Sequence, residues 1–156
     1  MRKKKVNIGD VFVIPIKENR YGYGQVVLFG SFFKIFIAFD FITDEKITDI
    51  KEILSKDIII LIRSNLVFIE DGYWTILGNA ELPVDLALPE YYIREGLDDS
   101  ELVTAEEDYV RIATEEDLKK YSINATYTPG VLEDILNAIV DGEDWKEEYG
   151  DVVYKP

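Results

Sequence analysis

The 156-residue chain contains neither cysteine nor histidine. Without thiols it can form no disulfide, no zinc–thiolate centre and no cysteine nucleophile. Without imidazole it lacks the commonest general acid–base and the commonest transition-metal ligand near neutral pH. Ser-His-Asp and Cys-His catalysis are excluded, as are most transition-metal sites, and only carboxylate, lysine, tyrosine and hydroxyl chemistry remain. Long apolar runs are missing too. The opening MRKKKVNIGD has no apolar stretch behind its basic start, and runs such as IFIAFDFI are strand-sized. A signal peptide needs roughly 7–15 apolar residues in succession and a membrane helix about 18 or more. The sequence therefore reads as soluble, unexported and cytoplasmic, with no membrane partner. The short cluster Arg2, Lys3, Lys4 and Lys5 reads as a frayed, solubilising end.

Positive charge is scarce, and its distribution is lopsided. The net charge is −14; through Ile69 there are 11 Lys+Arg against 8 Asp+Glu, and from Glu70 onward 6 against 23. A phosphate backbone is held by clustered cations, so nucleic acid is not an expected partner. Nor do the acids follow the calcium-loop pattern of alternating oxygen ligands around a central glycine. Asp141–Asp151 comes nearest, with its glycine misplaced. No metal and no cofactor is expected.

What the chain does have is core material: 47% hydrophobic and 13% aromatic residues in a length that suits a single domain, 1–156. Gly9–Ile16 and Gln25–Gly30 read as strands around a turn in KENRYGYG. Ser31–Phe41, apolar on both alternating faces, reads as a central strand buried on two sides. Asp44 can cap a helix carrying Ile47, Ile50 and Leu54. Asp57–Ile62 reads as a buried strand, and Leu66–Ile69 with Tyr73–Leu77 as a hairpin about Asp71-Gly72. Residues 78–108, with Pro83 and Pro89, read as extended loops. Tyr109–Ala113 is a further strand, and Thr114 with Asp117 forms a capping box for a helix of about two turns. Thr128-Pro129 opens a last helix whose stripe runs Val131, Leu132, Ile135, Leu136, Ile139 and Val140, with Gly142 as the stop. The expected fold is α+β and strand-dominated: a strongly twisted antiparallel sheet or partly open small barrel, covered by two or three helices.

Aromatic types divide along the chain. All eight Phe lie between Phe12 and Phe68, whereas eight of ten Tyr and both Trp lie from Tyr73 onward. Phenylalanine buries without polar obligation; tyrosine and tryptophan carry a group that needs a partner or water. The first half thus supplies core, and the second an acidic surface bearing Tyr and Trp. Such a surface suits protein recognition, with charge speeding encounter and aromatic anchors supplying affinity. The candidate contacts are Tyr91, Tyr92, Asp98, Asp99, Glu101, Glu106, Glu107, Asp108, Tyr109, Trp145 and Tyr149. The plainer reading places these tyrosines at core margins and gives the acids to solubility.

One set of residues resembles a known family. Gly9-Asp10-Val11-Phe12, Ile14-Pro15 and Tyr21-Gly22-Tyr23-Gly24-Gln25-Val26 look like the opening of the immunity protein 26 family of bacterial polymorphic toxin systems. Trp74-Thr75-Ile76-Leu77-Gly78 followed by Pro89 is similar to the family's tryptophan-to-glycine element. The resemblance covers residues 5–92, a β-rich core, and leaves the acidic segment 93–156 with its C-terminal helix unmatched. It implies a protein without catalytic residues that binds and neutralises a cognate toxin, to which the acidic charge adds the expectation of a basic surface. A nuclease is the toxin class that the charge suggests. The matched Gly9, Asp10, Pro15, Tyr21, Gly22, Tyr23, Gly24, Gln25, Trp74 and Gly78 read as structural, Pro15 marking an edge or a bulge. Two other readings stand beside this one. The chain could be a non-catalytic scaffolding module, or a hydrolase built on Asp98-Asp99-Ser100-Glu101 and Glu106-Glu107-Asp108. Paired-carboxylate catalysis needs two acids about 5–10 Å apart across a cleft, and adjacent acids on a loop are ordinarily a solvated face.

Overall fold

The computed structural model describes residues 3–156, so Arg2 of the basic cluster lies outside the described residues. The first half folds into one antiparallel sheet from β1 (Asp10–Ile16), β2 (Arg20–Phe29), β3 (Lys34–Phe39), β4 (Ile58–Ser64) and β5 (Thr75–Asn79). Helices α1 (Ile50–Leu54) and α2 (Val67–Glu70) are inserted before β4 and β5. The strand order is β4-β3-β2-β1-β5. Gly9 takes φ +92°, a conformation that favours glycine, and delivers the chain into β1. Along β1, Phe12, Ile14 and Ile16 face one core while Val11 and Val13 face another. A sheet covered on both sides has no water-facing surface, which is why β1 and β3 read as unbroken apolar runs.

The second half builds a smaller sheet from β6 (Tyr91–Arg94), β7 (Glu101–Thr104) and β8 (Tyr109–Ile112), in the order β6-β7-β8. Two helices follow, α3 (Glu115–Lys120) and α4 (Pro129–Val140). One face of the first sheet is covered by α4, through Leu132, Ile135 and Leu136, with Trp145 and Val152 beyond it. The opposite face takes Ile53 of α1, Ala105 and Tyr92, together with leucines of the 82–88 segment. Trp74 stacks on Phe12 with ring centroids 5.3 Å apart and meets Phe68 edge-on, closing the helix-side core. The fold is α+β and strand-dominated, with an open sheet, as the sequence implies.

Several local expectations are corrected. The segment Arg20–Gly24 is strand, not turn; the turn is Lys17–Asn19, where Glu18 and Asn19 take φ 60° and 55°. Gly22 and Gly24 serve close approach instead. A Cβ at Gly22 would stand 2.6 Å from Leu136 Cδ1 of α4, and one at Gly24 2.6 Å from the Phe12 ring and 2.8 Å from the Ile37 carbonyl. The helix expected from Asp44 begins at Asp49, whose carboxylate accepts from the Lys51 N–H. Leu66–Ile69 makes no hairpin: Val67–Glu70 coils into α2, and β5 pairs with β1 instead. Within the supposed loop 78–108, β6 and β7 are regular strands. By contrast the capping box of Thr114 and Asp117 is present at α3, and α4 starts at Pro129 and stops before Gly142 at φ +71°. Pro15 sits where β1 has outrun β5, whose pairing ends at Val13, so its missing N–H leaves no ladder bond unmade on that side.

Candidate functional site

The two sheets are joined by a small polar knot. The turn after β7 places Glu107 at φ 74°, and its carboxylate turns inward to accept from the Phe32 N–H at 2.7 Å and the Phe33 N–H at 3.3 Å. Arg63 of β4 donates from Nη1 to the Ala105 carbonyl at 3.1 Å and lies 3.9 Å from Glu107 Oε1. Its guanidinium stands 4.7 Å from the centroid of the Tyr92 ring. The pair is buried, with 4% and 6% of the two side chains exposed. Burial pushes the Tyr92 hydroxyl above the ordinary tyrosine range, an effect that Arg63 opposes.

This knot holds the second sheet so that its far strand faces solvent. All four residues of β8 are exposed, Tyr109 at 55%, and Phe32 of the β2–β3 loop, held by Glu107, is 78% exposed. Acids bracket the strand. Glu106 and Asp108 stand exposed at its start, and Asp98 and Asp99 in the turn before β7 flank its far end, where Ile112 pairs with Glu101. Glu115 and Glu116 follow in the first turn of α3. The one cation of β8, Arg111, donates from Nη2 to both oxygens of Asp117 at 2.9 and 3.1 Å. The Asp117 carboxyl is held below its ordinary range, first by the Thr114 backbone N–H and also by Arg111.

The structure divides the candidate residues. Asp98, Asp99, Glu106, Asp108 and Tyr109 gather, exposed, around the second sheet; Glu101 is half-buried and paired with Arg94 at 3.3 Å. Tyr91 and Tyr92 are half-buried, Tyr91 edge-on to Tyr121 at 5.5 Å. Two candidates are corrected. Glu107 is committed to the knot, and Trp145, 8% exposed, is packed into the core on the α4 side, so neither is free to touch a partner. Tyr149, edge-on to Tyr127 at 6.3 Å, belongs to that same distant cluster. Missing from the sequence reading were Phe32, Val110, Ile112 and Leu118, apolar yet substantially exposed. Val110 and Ile112 have only the strand pattern of YVRI as a sequence signal, and Phe32 and Leu118 have none.

The ten family-like residues are built into packing. Asp10 accepts from the Asn7 N–H at 2.8 Å and from Asn79 Nδ2 at 2.9 Å. Buried Gln25 donates to the Gly9 and Ala80 carbonyls, both at 3.2 Å, tying β2 to the start of β1. The Tyr23 hydroxyl meets Thr43 Oγ1 at 2.7 Å and accepts from the Ile47 N–H at 2.8 Å, while Tyr21 exchanges main-chain bonds with Thr43. Trp74 donates from Nε1 to Glu133 Oε1 at 3.0 Å, and Ile50 lies against Gly78. Of the two acidic clusters considered for hydrolysis, Asp98 and Asp99 lie exposed before β7 and Glu106 and Asp108 exposed after it, while Glu101 is half-buried within β7 and Glu107 is buried. A cleft beside β6, lined by Arg63, Tyr91, Tyr92, Lys120 and Tyr121, has Asp151 as its single carboxylate. Among the described residues no group of three or more acids could hold a metal ion, and no helix is long and apolar enough to cross a membrane.

A family model described as Immunity protein 26 matches residues 7–101, more than half of the chain. No curated protein and no solved structure matches the chain.

Proposed function

We propose, from the premise that the chain belongs to the immunity protein 26 family, that it neutralises a cognate toxin by binding it, in the cytoplasm of the cell that must be protected. The family assignment carries this reading, because it covers the whole first sheet. The chemistry of the chain agrees: it has no imidazole or thiol. A binding protein needs a stable frame and an exposed face, and both are present here.

The charge of the second half favours a toxin with a basic surface. A nuclease has such a surface, because it must grip phosphate, and an acidic protein laid across that surface would compete with the substrate. The same charge disfavours nucleic acid as a ligand of this chain. Contact-dependent competition between bacteria is the setting that this partnership suits. Co-expression with the toxin encoded beside its gene tests the reading. Growth should be rescued and a stoichiometric complex recovered; no rescue and no complex would overturn it.

A further inference from the structure

We propose that the open edge of β8 is the docking rail for the partner, which adds a β-strand there carrying Lys or Arg among apolar residues. The inference rests on the toxin-binding reading and says where and how that binding is made. The outer edge of β6 is occupied by Ser122–Asn124, with Ile93 N–H donating to the Ser122 carbonyl and Asn124 N–H to the Ile93 carbonyl, both at 2.9 Å. The outer edge of β4 is closed by the Tyr154 N–H on the Ile59 carbonyl and the Tyr127 N–H on the Arg63 carbonyl, both at 3.0 Å. β5 ends its sheet without a further strand, but four of its five residues are half-buried. β8 alone among these edge strands is exposed along its full length.

The pairing shows which groups face outward. Ala113 donates its N–H to the Ser100 carbonyl, and the next residue pair along the ladder is Ile112 with Glu101. In an antiparallel ladder hydrogen-bonded and non-bonded pairs alternate, so the N–H and C=O of Ile112 point away from β7 to the open side. Unpaired main-chain groups of this kind are a template for another strand. Proteins usually defend such an edge with lysine, proline or a bulge; β8 lacks the first two, and its bulge at Val110 lies two residues before Ile112. Here Tyr109, Val110 and Ile112 stand out from it, with Phe32 and Leu118 exposed on the neighbouring loop and helix.

Charge selects the occupant. Glu106, Asp108, Asp98, Asp99, Glu115 and Glu116 surround the strand, and Arg111 is already engaged by Asp117. A second copy of this chain would bring the same acids against them, and like charges set opposite each other are repelled. A basic strand with apolar residues at alternate positions satisfies the edge, the apolar side chains and the charge together. β8 also lies beyond the family-matched residues 7–101, where a member can differ to suit its own partner.

The test uses the full chain and the toxin domain encoded beside its gene. Amide hydrogen exchange is measured with and without toxin, and affinity is measured by calorimetry for wild type, Ile112→Pro and Ile112→Thr. Proline at a position whose N–H faces outward is compatible with an edge strand, and circular dichroism verifies folding. The expected result is new protection at Ile112, at least tenfold weaker binding by Ile112→Pro, and near-normal binding by Ile112→Thr. A complex that forms with Ile112 unprotected and with Ile112→Pro binding normally overturns the docking rail and leaves the toxin-binding reading standing. No complex with wild type overturns both. If Ile112→Pro does not fold, the wild-type exchange result decides.

Discussion

Arg63 and Glu107 come within 3.9 Å of each other at the junction of the two sheets, one from the end of a core strand, the other from a left-handed turn residue 44 positions later. Neither charge is free to face water. Glu107 also fastens the β2–β3 loop through the Phe32 and Phe33 N–H groups. The second sheet is therefore oriented by a side chain that composition alone would assign to the acidic surface.

Removing one partner of a buried pair leaves the other uncompensated, which costs about 3–5 kcal/mol, whereas replacing both with apolar or neutral groups is often tolerated. Glu107→Ala should lower stability by about that amount in urea denaturation. The double variant Arg63→Met/Glu107→Gln should recover a large part of it, since glutamine retains an acceptor for the Phe32 N–H. Equal losses in the single and double variants would show that the pair contributes by packing and not by charge.

Gly22 and Gly24 permit a second test of the close approach between elements. At Gly22 an added methyl meets the tip of Leu136, which can shift slightly; at Gly24 it meets the Phe12 ring and the Ile37 carbonyl, which is backbone. Overpacking a core costs about 1–3 kcal/mol. Gly24→Ala should therefore fall at the upper end of that range and Gly22→Ala at the lower, read as midpoints of urea denaturation. The reverse order would mean that α4 is less able to move than β3.

Much of the frame was legible because the physics behind it is local. The α3 capping box needs only Thr114 and Asp117, and α4 only Thr128-Pro129 with its apolar stripe. Errors arose where a tertiary neighbour decides. Gly22 and Gly24 look like turn residues until Leu136 and Phe12 are seen to occupy the space a side chain would take. Asp71-Gly72 looks like a hairpin turn, but β5 takes β1 as its partner and leaves Val67–Glu70 free to coil. At the surface, composition could not separate Glu106 from Glu107. Adjacent in sequence, one is exposed and the other is the buried clamp.

Tyr127 gives a prediction in pH. Its hydroxyl donates to the Asp151 carboxylate, and burial together with that hydrogen bond pushes its pKa up from near 10 to about 12. The fold favours the neutral phenol. Its stabilising contribution is thus complete below about pH 10 and is lost as pH rises from there through about 12. In a phenolate absorbance titration Tyr127 should ionise late, and Tyr127→Phe should remove a late-ionising group. The variant should also lose less stability than wild type between pH 10 and pH 12. Unchanged late amplitude in Tyr127→Phe would assign that phase to another tyrosine.

The acids around β8 should act chiefly on the speed of association. Exposed charges contribute little each to a finished complex, about 0–1 kcal/mol, but their summed field steers a basic partner over a distance set by ionic strength. That distance shrinks from about 10 Å at 0.1 M salt to about 3 Å at 1 M. Raising salt across this range should slow toxin association about tenfold or more in stopped-flow measurements, with little change in dissociation. The quadruple variant Asp98→Asn/Asp99→Asn/Glu106→Gln/Asp108→Asn should associate slowly even at 0.1 M and lose most of its salt dependence. Glu107 is left out because it holds the sheet and does not face the partner. If neutralising the four exposed acids leaves the salt dependence intact, the steering field comes from elsewhere on the chain. In that case the acids of the α4 side, among them Asp134, Asp141, Glu143 and Asp144, become the face presented to the toxin.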